Sequence, residues 1–323
     1  MTRRKVIIDC DPGHDDAIGI VLGAPHLDIL GITVVGGNQS LDRVTTNALK
    51  IVEVIGKPQI PVAVGIGVPL VKAATHAPHI HGESGMDGPA LPEPATKPHP
   101  QHAVDFLIDT IMSTDDVTLV PTGPLTNVAV ALRREPRIAT RLREISLMGG
   151  STAHGNMSVA AEFNIWYDPE AAHIVFTSGV PIKMAGLNLT LQVIADDTVI
   201  AQCRAIGTKP ALFVADLLDY FADAQKRKRG THTGALHDPV AVAAVIDPTL
   251  FEYHDMHVGI ELRGSQTYGM TVCDMRHLRG SAYGFPQSAT PLRGEPPNAQ
   301  VGMKADAPRF FKLLYETLAT YPR

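Results

Sequence analysis

The sequence predicts an α/β fold in a single domain: a mostly parallel, open sheet flanked by helices, with the active site at the carboxyl edge of the strands. Three observations carry this expectation. Short runs rich in Val and Ile recur at residues 6–8, 29–35, 117–120, 144–148 and 181–184. Helical patterns alternate with them, which marks a parallel sheet built by right-handed crossovers. Several of these runs end in polar or glycine-rich turns (Asp9 to Asp16, Gly36-Gly37-Asn38, Pro121-Thr122-Gly123, Gly149-Gly150), and ligands of such folds sit beyond the carboxyl ends of the strands. No repeat and no linker interrupts the 323 residues, and the 45% hydrophobic content suffices for one large core.

The first run organises the rest. Val6-Ile7-Ile8 leads straight into Asp9, Asp11, Asp15 and Asp16, with Pro12 and Gly13 turning the chain and a helix expected over residues 17–22. Acids at a helix N-terminus have a simple account, because the free N–H groups and the helix dipole favour negative charge there. A capped, solvated turn explains one or two of them. Four carboxylates within eight residues repel one another, and no Lys or Arg lies between Lys5 and Arg43 to compensate. The balance favours a bound cation, and an all-oxygen donor set suits Ca²⁺ or Mg²⁺.

Along the chain, the strand at 29–35 delivers Asn38, a helix is expected over 41–55 and a short strand over 61–64. Residues 65–100 break the rhythm with Pro, Gly and His, and within them lies His79-Ile80-His81-Gly82-Glu83-Ser84-Gly85-Met86-Asp87-Gly88. A loop of this length reads either as an active-site flap or as a surface loop with incidental histidines. No phosphate-cradling G-x-G-x-x-G or G-x-x-x-x-G-K-[ST] pattern is present. A helix over 102–112 precedes the strand that ends at Thr122, and another helix begins near Leu125. After the strand at 144–148 comes a polar loop with Asn156, Glu162 and Asn164, and then Asp168-Pro169, a capping residue followed by Pro at the first helical position. The strand at 181–184 ends near Asn188. An amphipathic helix over 211–224 runs into Gln225 and four cations, Lys226 to Arg229, which read as a solvated helix end in an acidic chain. His237-Asp238-Pro239, an apolar segment at 240–246, two antiparallel strands (258–262 and 267–272) and a helix at 308–318 complete the chain.

Composition excludes several classes. A net charge of −5 and an isoelectric point near 6.3 offer no basic field for nucleic acid or an anionic membrane. Aromatic residues make up 5%, too few for stacking-based nucleic-acid recognition. Cys10, Cys203 and Cys273 are too scattered for a disulfide framework or a thiolate metal site. With no signal-peptide core and no apolar run of membrane-spanning length, the chain reads as soluble and cytoplasmic.

Strand ends thus bring Asp9, Asp11, Asp15, Asp16, Asn38, Thr122 and Asn188 to one edge, and the loops above can add His81, Asn156, Glu162, Asn164, His237 and Asp238. Carboxylates and amides in that number suit a hard metal and a polyhydroxyl ligand. Taken singly the residues say little: His237-Asp238 recurs by chance, Glu162 and Asn164 can satisfy loop backbone, and Thr122 can be a turn residue. Their order is informative. Asp9-Cys10-Asp11-Pro12-Gly13-His14-Asp15-Asp16 resembles the signature of the inosine-uridine preferring nucleoside hydrolases. The resemblance continues through Gly37-Asn38, His81 to Gly85, Val120 to Asn127, Leu147 to Gly150, Ala161 to Asn164 and His237 to Pro239.

That resemblance implies the family's Rossmann-like fold and the hydrolysis of ribonucleosides to free base and ribose. It implies Ca²⁺ held by Asp11, Asp16, the Thr122 carbonyl and Asp238, with Asp15 as the base that deprotonates a metal-bound water. Asn38, Asn156, Glu162 and Asn164 would hold the ribose hydroxyls over Met148, and His237 would give a proton to the departing base. His81, Phe221, Gln225 and Arg229 would lie on the base side. The family also implies a dimer or tetramer. Two rivals stand beside it. A riboside-binding protein that uses Ca²⁺ without cleavage would need neither Asp15 nor His237. A haloacid-dehalogenase-like phosphohydrolase also starts with D-x-D, but it would need Thr or Val where Gly13 stands and a phosphate-binding Lys.

Overall fold

Strands β1 (Lys5–Cys10), β2 (Asp28–Val34) and β3 (Val62–Val64) run parallel, each hydrogen-bonded to the next. The chain then crosses to the other side of β1 and lays down β4 (Val117–Pro121), β5 (Leu142–Met148) and β6 (Ile182–Ala185), also parallel. The strand order therefore reverses between β1 and β4, and the connections leaving these two strands diverge to open a crevice. The computed structural model describes residues 3–76, 82–276, 278 and 294–323, apart from the side chains at 228 and 229.

Later in the chain, β7 (Ile194–Ala195) and β8 (Gly234–Ala235) form a small antiparallel clip, and β9 (Phe251–Met256) is the antiparallel edge of the main sheet. The hairpin β10 (Val258–Ile260) and β11 (Thr271–Cys273) stands apart, and β12 (Ala299–Ala305) joins the main sheet between β6 and β9. The antiparallel pair is thus real but shorter than expected. Strands β9 and β12 escape sequence reading because half of each faces out: Phe-Glu-Tyr-His-Asp-Met and Ala-Gln-Val-Gly-Met-Lys-Ala have no sustained apolar run. The helix Asp197–Ile206 was also missed, although its signals are legible. Asp196 accepts from the amides of Thr198 and Val199, and Gly207 closes the helix with φ 75°.

The sheet is buried on both sides, and β1 buries every residue from Val6 to Cys10, all apolar apart from Asp9. Val6, Ile8 and Cys10 pack into a core layer with Val21, Val44 and Val240. Ile7 points the other way, into a layer with Leu107, Ile111 and Val128. Each such side chain contributes roughly 1.5–3 kcal/mol by leaving water. The first helix spans His14–Gly23, starting earlier than the residues 17–22 expected, so Asp15 and Asp16 lie in its first turn. All ten of its residues are buried. It crosses the equally apolar helix Asp238–Ile246 closely, and a Cβ on Gly19 or Gly23 would lie 3.3 or 3.1 Å from Val242. This close packing brings the acidic N-termini of the two helices together. The cationic stretch ends a single long helix, Lys209–Arg229, with Lys226 and Arg227 exposed, as a solvated helix end requires.

Candidate active site

Four acids, Asp11, Asp15, Asp16 and Asp238, meet at the crevice between β1 and β4. Oxygens of Asp15, Asp16 and Asp238 lie within 4.8 Å of one another, all buried, in an arrangement able to hold a metal ion. Asp16 caps its own helix by accepting from the Gly13 amide at 2.9 Å, and its other oxygen accepts from the Thr122 hydroxyl at 2.7 Å. Asp11 accepts from the Asn38 amide at 2.6 Å through Oδ2, whereas its buried Oδ1 has no hydrogen-bond partner among the described residues. Gly37 makes room for that carboxylate: a Cβ there would lie 2.0 Å from Asp11 Oδ2. Among the described residues no Lys or Arg pairs with any of the four acids.

Burial, reinforced by the neighbouring carboxylates, drives these acids toward the protonated form. Asp15 is pushed up to about 7, by burial first and by the Asp16 charge second. Asp11 rises well above the usual carboxylate range through burial and the Asp16 charge, Asp238 does so through burial and the Asp15 charge, and burial raises Asp16 as well. Asp9, one layer deeper, accepts from Thr33 at 2.5 Å and Asn127 at 2.9 Å, and burial raises it to about 7. It supports the site from below and does not line it.

Above the nest opens a cavity of about 300 Å³ lined by Asp15, Asn38, Thr122, Met148, Asn156, Glu162, Asn164, Phe221, Gln225, His237 and Asp238. Its amides are pre-oriented. Asn38 Nδ2 donates to the Asp11 carbonyl at 3.1 Å, and Asn164 Nδ2 donates to the carbonyls of Thr122 (2.7 Å) and Met148 (3.2 Å). Both therefore keep Oδ1 for a ligand. Asn156 is reversed, since its Oδ1 accepts from the Phe163 amide at 2.9 Å and Nδ2 remains. Glu162 caps the helix Phe163–Tyr167 through the amides of Asn164 and Ile165 and also accepts from the Gly150 amide. Burial nevertheless lifts it to about 7. Asp15 and His237 face the same space, with the His237 ring 2.7 Å from the Thr190 hydroxyl.

The structure thus gathers nearly all of the residues expected from sequence, with Asp11 and Asp16 just beneath the cavity wall. Asn188 is not among them: its Nδ2 donates to the Gly302 carbonyl and its Oδ1 accepts from the Thr152 amide, so it braces the sheet. Arg229 ends the long helix, but its side chain, like His79 and His81, lies outside the described residues. Of the expected flap, Gly82–Gly88 is fastened down. Gln39 holds the Gly82 and Glu83 carbonyls, Asn47 holds that of Ser84, and His14 Nε2 lies 2.7 Å from that of Asp87. None of these loop residues lines the cavity. Sequence reading missed the apolar wall of Leu187, Leu191 and Ile194, and also Met157, Phe163, Thr231, Thr233 and Ala235. Leu187 opens the short helix Leu187–Thr190 and Ile194 lies in β7, so no periodicity of a single element marks them as one wall. No Lys or Arg lines the cavity among the described residues, which removes the phosphate-binding cation a phosphohydrolase reading needs.

Residues 6–312 match the family described as inosine-uridine preferring nucleoside hydrolase. The chain belongs to that family. It is a ribonucleoside hydrolase, an enzyme that cleaves N-glycosidic bonds. It is 46% identical over 320 residues to the inosine-uridine preferring nucleoside hydrolase of Leishmania major, covering 98% of this chain and 97% of that one. It is 40% identical to the pyrimidine-specific ribonucleoside hydrolase RihB of Escherichia coli K12, over 99% of both chains. A solved structure, the purine-preferring ribonucleoside hydrolase from Gardnerella vaginalis, superposes with a TM-score of 0.87 at 34% identity, over 98% of each chain. The fold and the acidic crevice of this hydrolase are thus set in a family whose members differ in the base they prefer.

Proposed function

We propose that this hydrolase uses calcium to release free base and ribose from uridine, cytidine or inosine, and that residues 1–323 form one catalytic domain. The observation that carries the reading is the set of four buried carboxylates, without a cationic partner among the described residues, against a cavity whose remaining polar groups suit hydroxyls. The donor set fits the ion: Asp11, Asp16, Asp238 and the Thr122 carbonyl supply only oxygen, the choice of a hard cation. The orphaned Asp11 Oδ1 is the kind of buried atom an ion would satisfy. Bound there, calcium would orient the vicinal hydroxyls of the sugar and acidify the attacking water.

The chain's own residues do the rest. Asp15 accepts a proton from the water as its oxygen bonds to the anomeric carbon. The C–N bond breaks with its electron pair passing to the base, and His237 supplies the proton that neutralises the base as it leaves. Asn38, Asn164 and Glu162 present acceptors to the ribose hydroxyls, Asn156 presents a donor, and Met148 forms the floor. Carboxylate and amide oxygens around the ring stabilise the positive charge that develops on the sugar. No covalent intermediate is needed, in keeping with a cavity that has no Ser, Cys or Lys nucleophile in its lining among the described residues.

The base side is assigned to Phe221 and Gln225, and the family resemblance implies the same role for Arg229 and His81. Gln225 offers an amide to a pyrimidine edge. The chain's one Trp, Trp166, sits beneath the Lys72 ammonium, 3.1 Å from its ring centre, so base recognition does not rest on tryptophan stacking. The proposal extends to a cytoplasmic homo-oligomer. Its support is the three free cysteines, two of them buried, and the outward-facing Val68, Leu70 and Val71. Incubation of the purified protein, with calcium, with each of the three nucleosides should yield base and ribose by chromatography. Binding without release from all three would instead support a riboside-binding protein.

A further inference from the structure

The family comparison and the cavity give no role to Thr190, which does not line the cavity and is fully buried. It ends the short helix Leu187–Thr190, and among the described residues its hydroxyl partner is His237, with Oγ1 and Nδ1 2.7 Å apart. Both ends of this contact are held rigidly. The Thr190 amide donates to the Gly186 carbonyl at 3.0 Å, and its carbonyl accepts from the Val193 amide at 3.0 Å. The β7–β8 clip then pairs Ile194 with Ala235 and Ala195 with Gly234, and the Leu236 amide donates to the Val193 carbonyl at 2.9 Å. The segments carrying Thr190 and His237 are therefore stitched together within a few residues of both side chains.

We propose that Thr190 is a positioning residue for leaving-group protonation, fixing the plane of the His237 ring and the nitrogen it presents to the base. The inference rests on the assignment of His237 as proton donor. Its chemistry follows from what a hydroxyl can do. Thr190 Oγ1 can accept from the Nδ1–H of the His237 ring, so that Nδ1 is the nitrogen held by the protein and Nε2 the one presented to the base. A hydroxyl can also rotate to donate when Nδ1 carries no proton, which a carboxylate or a carbonyl cannot do. During the reaction the doubly protonated ring passes its Nε2 proton to the base as the C–N electron pair moves onto it, and the neutral ring keeps its Nδ1 proton on the Thr190 oxygen. Thr190 itself forms and breaks no covalent bond.

A purely structural threonine would affect all substrates equally, and this separates the two roles. Thr190→Val removes the hydroxyl at nearly constant shape, and Thr190→Ala repeats the loss should the branched isostere disturb packing. Each is compared with Thr190→Ser on a nucleoside and on p-nitrophenyl riboside, whose nitrophenolate departs without a proton. The expected result for Thr190→Val is a kcat on uridine and inosine lower by ~10- to 100-fold, part of the ~10² to 10⁴-fold that a poised general acid supplies, with KM little changed. The nitrophenyl riboside is expected to be hydrolysed nearly as by the parent, and Thr190→Ser to keep most of the nucleoside rate. Equal losses on both substrate types, or no loss on nucleosides, would overturn the inference. His237→Ala on the same pair distinguishes the failures. Selective loss there without selective loss at Thr190 removes Thr190 alone, and no selective loss at His237 removes both assignments.

Discussion

Replacing Asp15 with Asn is expected to lower kcat on every nucleoside substrate by ~10² to 10⁴-fold, the range lost with a positioned general base. The amide keeps the shape and one oxygen of the carboxylate but cannot take up the proton that water must lose. Direct binding measurements with a nucleoside and saturating calcium should show affinity close to the parent, because the hydroxyl-holding amides are untouched. The position of Asp15 demands the control of metal content, since its oxygens share the 4.8 Å cluster with Asp16 and Asp238. Turnover near the parent rate in a calcium-loaded variant would remove Asp15 as the base.

The second large effect concerns metal, pH and stability together. Folding raises Asp15 from its ordinary 3.8 to about 7 and Glu162 from 4.5 to about 7, both chiefly through burial. An acid whose folded pKa is raised contributes stability that is fully present below its unfolded pKa and is lost as pH rises through the folded one. The metal-free chain should therefore lose stability as pH climbs from 3.8 toward 7. An ion in the nest replaces the protons, so its stabilisation should grow over the same range. By mass action, calcium at 100 times its dissociation constant is worth ~2.7 kcal/mol, or roughly 5 °C in Tm for a chain of this size. Scanning calorimetry with calcium and with chelator should show that gain at pH 8 and a much smaller one at pH 5. Equal gains at both pH values would mean that the ion does not displace these protons.

How much of this was legible in the sequence divides along physical lines. The parallel half of the sheet, β1 to β6, announced itself because strands buried on both faces carry short continuous apolar runs, as Val6, Ile7 and Ile8 show. β9 and β12 did not, because an edge strand and its neighbour leave one face to solvent, and Glu252, His254, Gln300 and Lys304 break any pattern. The site's polar residues were legible for a similar reason. Four acids at one strand end, and amides at the others, are too costly in one buried place to lack a function. What escaped was whatever depends on long-range packing. Nothing in sequence tells Asn188, a brace to Gly302 and Thr152, from Asn38 and Asn164, whose amides turn toward the cavity. Nothing there pairs Thr190 with His237 either, since only the β7–β8 clip brings their segments together. Glu162 combines the two alternatives its sequence offers, satisfying backbone amides, at the start of the helix Phe163–Tyr167, while lining the cavity.

The central claim is that the crevice between β1 and β4 works by holding calcium among Asp11, Asp16, Asp238 and the Thr122 carbonyl. Equilibrium calcium titration of the metal-stripped chain, with released base measured in the same samples, tests it most directly. Binding of a single ion per chain, with hydrolysis rising in step with occupancy, is the predicted result. Hydrolysis at full rate with no ion bound would contradict it.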